Sequence, residues 1–344
     1  MPPESATPLH RELAAVAREA AHLSRPHHPC PACAAPPRTR GPAGTLTPPE
    51  PAVLADRPDG TVVRHGAAVA KAHAPGTGGP DHRVRLAVAG HPRLAGVLLP
   101  PLAPEDPPVG APRDRPVSVW PYGTPVDPDD PAAAPWEAAG TLLARLHSVP
   151  PGALPGPLPP MRGPAKAARA MARLAAAGDR LPAAAPVRAA WRRLPGWARG
   201  EAPAPGPAAL CHGDFHLGQL VRHPVPGGPW LLIDVDDLGT GDPAWDLARP
   251  AAWYATGLLA PADWARFLGA YRAAGGPAVP PGDDSDPWPR LDAPARALTV
   301  QTAALAVAKC AAAGRAPDDA EAAMVDACAR IAELPARSAP SSPT

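Results

Sequence analysis

The sequence predicts an α+β chain of two lobes, a small strand-rich one followed by a larger helical one. Three observations carry this. Short β-type runs punctuated by turn residues fill residues 52–120. From Trp136 onward, apolar residues recur at helical spacing, as in Trp136, Ala139, Leu143 and Leu146. A segment dense in His, Gly and Asp, residues 211–238, interrupts the helical half with two short hydrophobic strands.

The elements follow in order. Thr7 and Pro8 make a helix start, cap then first turn. Leu9, Leu13, Val16, Ala20 and Leu23 then share a face, and the helix ends near Ser24-Arg25-Pro26. Residues 26–50 are rich in Pro, His and Cys and read as a linker, so residues 1–45 form a helix-plus-linker extension. Ala52-Val53-Leu54, the turn Pro58-Asp59-Gly60 and Thr61-Val62-Val63-Arg64 make a hairpin. Residues 67–73 read as a third strand, 81–90 as a helix and 116–120 as a further strand, which gives a small lobe over 46–120. The helical lobe, 121–333, has helices over 164–177, 186–194, 261–274, 291–314 and 317–333. Gly275-Gly276 stops the helix over 261–274. The Ser/Pro-rich tail, 334–344, reads as disordered.

Composition narrows the function. The 344 residues carry a net charge of +1, which offers no field for nucleic acid or an anionic membrane. No run of 18 apolar residues and no secretory pattern is visible. Five scattered cysteines suit a reducing compartment, and the expected location is cytoplasmic. Cys30-Pro31-Ala32-Cys33 beside His27 and His28 has zinc-ligand chemistry, with a plain linker as the favoured reading.

The chemistry concentrates in His212-Gly213-Asp214-Phe215-His216-Leu217-Gly218-Gln219 and in Ile233-Asp234-Val235-Asp236-Asp237. Phosphoryl transfer needs few protein groups, mostly for positioning and charge neutralisation. Asp214 can accept a proton from an attacking hydroxyl. Asp234 and Gln219 can hold Mg²⁺ through hard oxygen atoms. Lys71, mid-strand and one of only three lysines in an arginine-rich chain, can neutralise phosphates. Tyr122 and Gly123 follow a strand where a nucleotide base could meet backbone groups. Asp236 and Asp237 can bind a second metal or a cationic substrate, or form a solvated turn. His212 reads as a structural hydrogen-bonding residue, and Asp246 as a carboxylate that caps backbone amides.

Residues 212–248 resemble the aminoglycoside phosphotransferase and choline kinase family, a branch of the protein-kinase-like fold. The resemblance rests on His212-Gly213-Asp214, on Ile233-Asp234, and on Gly241-Asp242-Pro243 with Asp246-Leu247-Ala248. It implies ATP and Mg²⁺ as cofactors and a small-molecule hydroxyl as acceptor. It makes Asp214 the base, Asp234 the metal ligand and Asp246 the brace of the catalytic loop. Two features depart from the family pattern. Gln219 stands where an Asn is usual, as in the similar loop of bacterial maltokinases, which makes a sugar kinase the first alternative. The helix after the lysine strand lacks the usual Glu, with Asp81 the nearest acid. A non-catalytic nucleotide-binding pseudokinase is the second alternative. The sequence identifies neither the acceptor nor the oligomeric state.

Overall fold

The computed structural model describes residues 7–23, 33, 51–57, 59–102, 112, 114–178 and 181–334. The linker around Cys30, with His27 and His28, and the tail from Pro335 lie outside the described residues. The chain divides into two compact units. One holds residues up to 128 together with 152–158 and 218–236, and the other holds 129–151, 159–217 and 237 onward.

The first unit is built on an antiparallel meander. Strands β1 (Ala52–Arg57), β2 (Gly60–His65), β3 (Ala68–His73) and β4 (Val117–Pro121) pair in that order. Alternation in the two inner strands gives the sheet two different faces. Ala70, Ala72, Val117 and Val119 point to one side and pack against Leu13, Val16 and Ala17 of helix α1 (Pro8–Leu23). Lys71, His73, Ser118 and Trp120 alternate with these residues along the same strands, with Lys71 opposite Ser118 in the ladder. Thr7 caps α1, its hydroxyl accepting from His10 N at 3.3 Å. His10 Nε2 lies 2.9 Å from Asp56 Oδ2 on β1. The N-terminal helix is therefore an integral layer of this unit, where the sequence suggested an extension.

Helix α2 (Pro80–Ala89) follows β3. A second sheet, β5 (Thr124–Pro125), β7 (Leu220–Arg222) and β8 (Trp230–Leu232), completes the first unit. Leu99 N donates to Leu232 O at 2.9 Å, and Leu232 N donates to Val97 O at 2.9 Å. These bonds fix the end of β8, from which Asp234 emerges.

The second unit is helical. It contains α3 (Trp136–His147), α4 (Gly163–Ala176), α5 (Ala184–Arg193), α6 (Ala244–Ala255), α7 (Pro261–Ala273), α8 (Trp288–Ala313) and α9 (Asp319–Glu333). Helix α3 packs on α7, α4 and α6 pack on α8, and α9 packs on α5 and α8. The ladder of β6 (Ala209–Cys211) with β9 (Gly239–Gly241) holds the two ends of the His/Gly/Asp-rich region. Two short strands, β7 and β8, lie inside the region, as the sequence suggested, and β6 and β9 flank it. Helix α6 had no reading from sequence periodicity. Its residues 244–248 and 250–252 are buried almost without a break, and Pro250 lies inside it, so neither a polar stripe nor uniform propensity marks it. Among the described residues, no helix is long and apolar enough to cross a membrane.

Leu13 is fully buried between α1 and the sheet. Leu13→Ala should lower stability by roughly 2–5 kcal/mol, read as a shift in the urea-unfolding midpoint.

Candidate active site

In the second unit, Asp214 sits on the loop that leaves β6. Gly213 has φ +85, and a Cβ there would run into the Asp237 carbonyl, so the loop needs glycine at this position. Asp246, from the first turn of α6, accepts from both loop amides, His212 N to Oδ2 at 2.6 Å and Gly213 N to Oδ1 at 2.8 Å. Behind it, His147 Nε2 is 2.9 Å from Asp246 Oδ2, and His147 Nδ1 is 2.8 Å from Tyr271 Oη. Tyr271 Oη accepts from Ala278 N at 2.9 Å. One proton assignment satisfies the whole chain. Tyr271 donates to His147 Nδ1, and His147 Nε2–H donates to Asp246. All three side chains are buried, which makes each of these bonds costly to lose. Burial pushes the Tyr271 hydroxyl far above its usual range.

Phe215 anchors the loop by stacking on Phe267 of α7. Asp214 has two cations. Lys166 Nζ of α4 is 2.6 Å from its Oδ2, and Arg249 Nη2 of α6 is 2.7 Å from its Oδ1. Burial alone would raise the Asp214 pKa, but these cations outweigh it and hold the carboxyl below its ordinary value. Asp214, Phe215, Lys166, Arg249 and Gln301 line a small pocket. Lys166 also bonds Asp237 Oδ2 at 2.6 Å, and Arg162 Nε lies 3.4 Å from Asp237 Oδ1.

In the first unit, Lys71 Nζ lies 2.7 Å from Asp234 Oδ1 and 3.0 Å from Asp236 Oδ2. The acidic partners of Lys71 are therefore these two residues rather than Asp81. His73 Nδ1 reaches Asp236 at 2.9 Å, and its Nε2 is 2.7 Å from Ser118 Oγ, which in turn accepts from Trp120 Nε1 at 2.8 Å. Helix α2 presents His82 to this cluster, its ring centroid 4.4 Å from that of His73. Burial, with His73 nearby, pushes the His82 pKa down to about 4. The Asp236 carboxyl is held well below its usual range, with Lys71 and His73 overriding its burial. Lys71 is displaced upward, its two carboxylates overriding its burial. Asp234 has φ +64, the one non-glycine residue with positive φ among the described residues. Gln219 Nε2 is 3.4 Å from Asp234 Oδ2.

Several expectations change. Asp236 and Asp237 are neither a solvated turn nor an open anionic patch for a cationic substrate. Lys71 pairs with the first, which His73 also hydrogen-bonds, and Lys166 and Arg162 pair with the second. The backbone of Tyr122 is engaged already, its N–H donating to Ala67 O at 2.7 Å and its carbonyl accepting from His223 Nδ1 at 3.0 Å. A base contact through the N–H would have to displace its bond to Ala67, whereas the carbonyl keeps a second lone pair. Gly123 packs so closely on Val221 that a Cβ would not fit. Lys166, Arg249 and His73 were missed. The rarity of lysine that drew attention to Lys71 applied equally to Lys166.

The two units together have the kinase-like α+β fold, a small antiparallel-sheet lobe and a larger helical lobe. A family model described as "Phosphotransferase enzyme family" matches residues 82–283, more than half of the chain. The chain belongs to that family. Among solved structures it is similar to a choline/ethanolamine kinase family protein from Mesorhizobium loti, at 17% identity and TM-score 0.50, covering 92% of this chain and 95% of that one. It is also similar to a thermostable mutant of aminoglycoside phosphotransferase APH(4)-Ia in its apo form, at 14% identity and TM-score 0.54, covering 82% and 94%. A ternary complex of such a mutant with AMP-PNP and hygromycin B matches at 16% identity and TM-score 0.54, covering 84% and 96%. No curated protein matches the sequence.

Replacing Lys71 with Met should cost about 2 kcal/mol at neutral pH by removing the cation shared by two half-buried carboxylates. Because the folded pKa of Asp236 is depressed, its stabilisation is complete above the ordinary value of 3.8 and fades as pH falls through the folded one. Urea unfolding at a series of pH values should therefore show a deficit in Lys71→Met that is full at neutral pH and narrows below 3.8.

Proposed function

We propose that this chain is an ATP- and Mg²⁺-dependent phosphotransferase that phosphorylates a hydroxyl of a small molecule. The observation that carries the reading is Asp214. It is a carboxylate kept ionised by Lys166 and Arg249, set on a loop braced by Asp246, and it faces a pocket. Binding a nucleotide needs no such group, whereas deprotonating a hydroxyl does.

Asp234 and Gln219 would hold Mg²⁺. Their chemistry fits, since a carboxylate and a side-chain amide lie within 3.4 Å of each other and both offer hard oxygen once the amide turns its oxygen inward. Bound there, the ion would neutralise phosphate charge and align the transferred group. Lys71 would exchange its bond to Asp234 for the nucleotide phosphates. The Asp236 carboxylate, held by His73, would keep the ammonium charged and aimed. Asp214 would orient the acceptor hydroxyl and take its proton as the new O–P bond forms and the bond from the γ-phosphorus to the β-phosphate oxygen breaks, with ADP as the leaving group. Arg249 and Lys166 would fix the rotamer of Asp214 and offset the negative charge beside it.

The likeness to a structure solved with AMP-PNP and hygromycin B, and to one described as a choline/ethanolamine kinase family protein, supports a hydroxyl acceptor. The test is ATP consumption with Mg²⁺ against a panel of aminoglycosides, sugars, choline and homoserine. One acceptor class should give turnover. Asp214→Asn should lower kcat by at least about 10³-fold while Mg·ATP affinity, read by calorimetry, stays within a few-fold. Mg·ATP binding with no turnover across the panel would favour the nucleotide-binding pseudokinase.

A further inference from the structure

The linker cysteine Cys33 does not stand apart from the fold. Its Sγ lies 3.2 Å from His22 Nε2 and 3.2 Å from His65 Nε2. The three ligand atoms all fall within 4.8 Å of one another. They come from three separate places in the first unit, the last turn of α1, the linker and the end of β2. The two imidazoles stand nearly perpendicular, at 80°, with ring centroids 6.3 Å apart, so they approach the sulfur from different directions and do not stack.

A neutral thiol can meet both rings only through two weak bonds, donating S–H to one ring nitrogen and accepting N–H from the other. The same three atoms, one sulfur and two imidazole nitrogens facing one another, are a ligand set that a cation between them would engage all at once. With Zn–S near 2.3 Å and Zn–N near 2.05 Å, a tetrahedral angle puts sulfur and nitrogen roughly 3.6 Å apart. The observed 3.2 Å separations need only a few tenths of an ångström of opening. Thiolate plus imidazole is a borderline-soft donor set that selects zinc over the hard cations. Cys33 and His22 are exposed and His65 half-buried, so an ion can reach them.

We propose that His22, Cys33 and His65 bind one Zn²⁺ that clips the C-terminal end of α1 to the end of β2. The opposite end of α1 is already tied to β1 by His10 and Asp56. With zinc in place, both ends of the helix are fastened to the sheet whose inner strand carries Lys71. The site is structural and does not depend on the phosphotransferase reading.

The test uses the full chain, freed of metal and then titrated with Co²⁺ as a spectroscopic stand-in for zinc. The wild type should take up about one equivalent, with the intense visible bands of a tetrahedral site and a near-ultraviolet thiolate charge-transfer band. Zn²⁺ should displace the Co²⁺. Cys33→Ser should lose the charge-transfer band, and His65→Gln should weaken zinc binding by at least about tenfold. Wild-type thermal stability should fall on chelation, whereas Cys33→Ser should unfold at one temperature with or without chelator. An unchanged melting temperature for Cys33→Ser relative to the metal-free wild type would show that the variant folds. Absence of tetrahedral bands in the wild type would overturn the proposal, as would a charge-transfer band that persists in Cys33→Ser.

Discussion

Five aspartates of the candidate site are buried or half-buried, and the site depends on supplying each one with donors. An ionised carboxylate taken from water without partners would instead be protonated and lose its chemistry. Asp246 has two backbone amides and a histidine. Asp214 has Lys166 and Arg249. Asp237 shares Lys166 and adds Arg162. Asp234 and Asp236 share Lys71, with His73 on the second. The scarce lysines are spent here, two of the chain's three each bridging a pair of aspartates. A compact ammonium with three donors suits two carboxylates at close range better than a planar guanidinium fork does.

Both units solve the same orientation problem in the same way. In the second, a hydroxyl-to-histidine-to-carboxylate chain runs Tyr271, His147, Asp246. In the first, the corresponding chain is Trp120, Ser118, His73, Asp236. Each histidine has both ring nitrogens committed, which fixes its tautomer and aims the carboxylate. Each carboxylate then serves a different group. Asp246 holds the loop that carries Asp214, and Asp236 holds the lysine proposed to meet phosphates.

What the sequence made legible follows a physical rule. The meander was readable because Gly60 and the apolar alternation around it are local signals, and the four strands lie within or one residue beyond the expected bounds at most ends. The Asp214 loop and Asp234 were readable as motif residues because their spacing is local too. The pairing of Lys71 was not, since its partner Asp234 is 163 residues away and no local pattern encodes it. Strands β6 to β9 span three residues each, too short to show alternation, and β6 finds its partner across the whole His/Gly/Asp region. Lys166 and Arg249 lie on helices where a cation ordinarily reads as solvent-facing. Only the packing of α4 and α6 on α8 turns them toward Asp214. His82, an aromatic on a helix expected to offer an acid, became interpretable only once Asp236 was seen to take the acid's place beside Lys71.

The ionisation of Asp214 tests this arrangement most directly. Carboxyl ¹³C resonances of the chain labelled at aspartate, titrated with acid and assigned by difference from Asp214→Asn, would report it. With Lys166 and Arg249 outweighing burial, the Asp214 resonance should inflect below the ordinary 3.8. An inflection above 3.8 would mean that burial wins and that the cations do not keep this carboxylate ready to accept a proton.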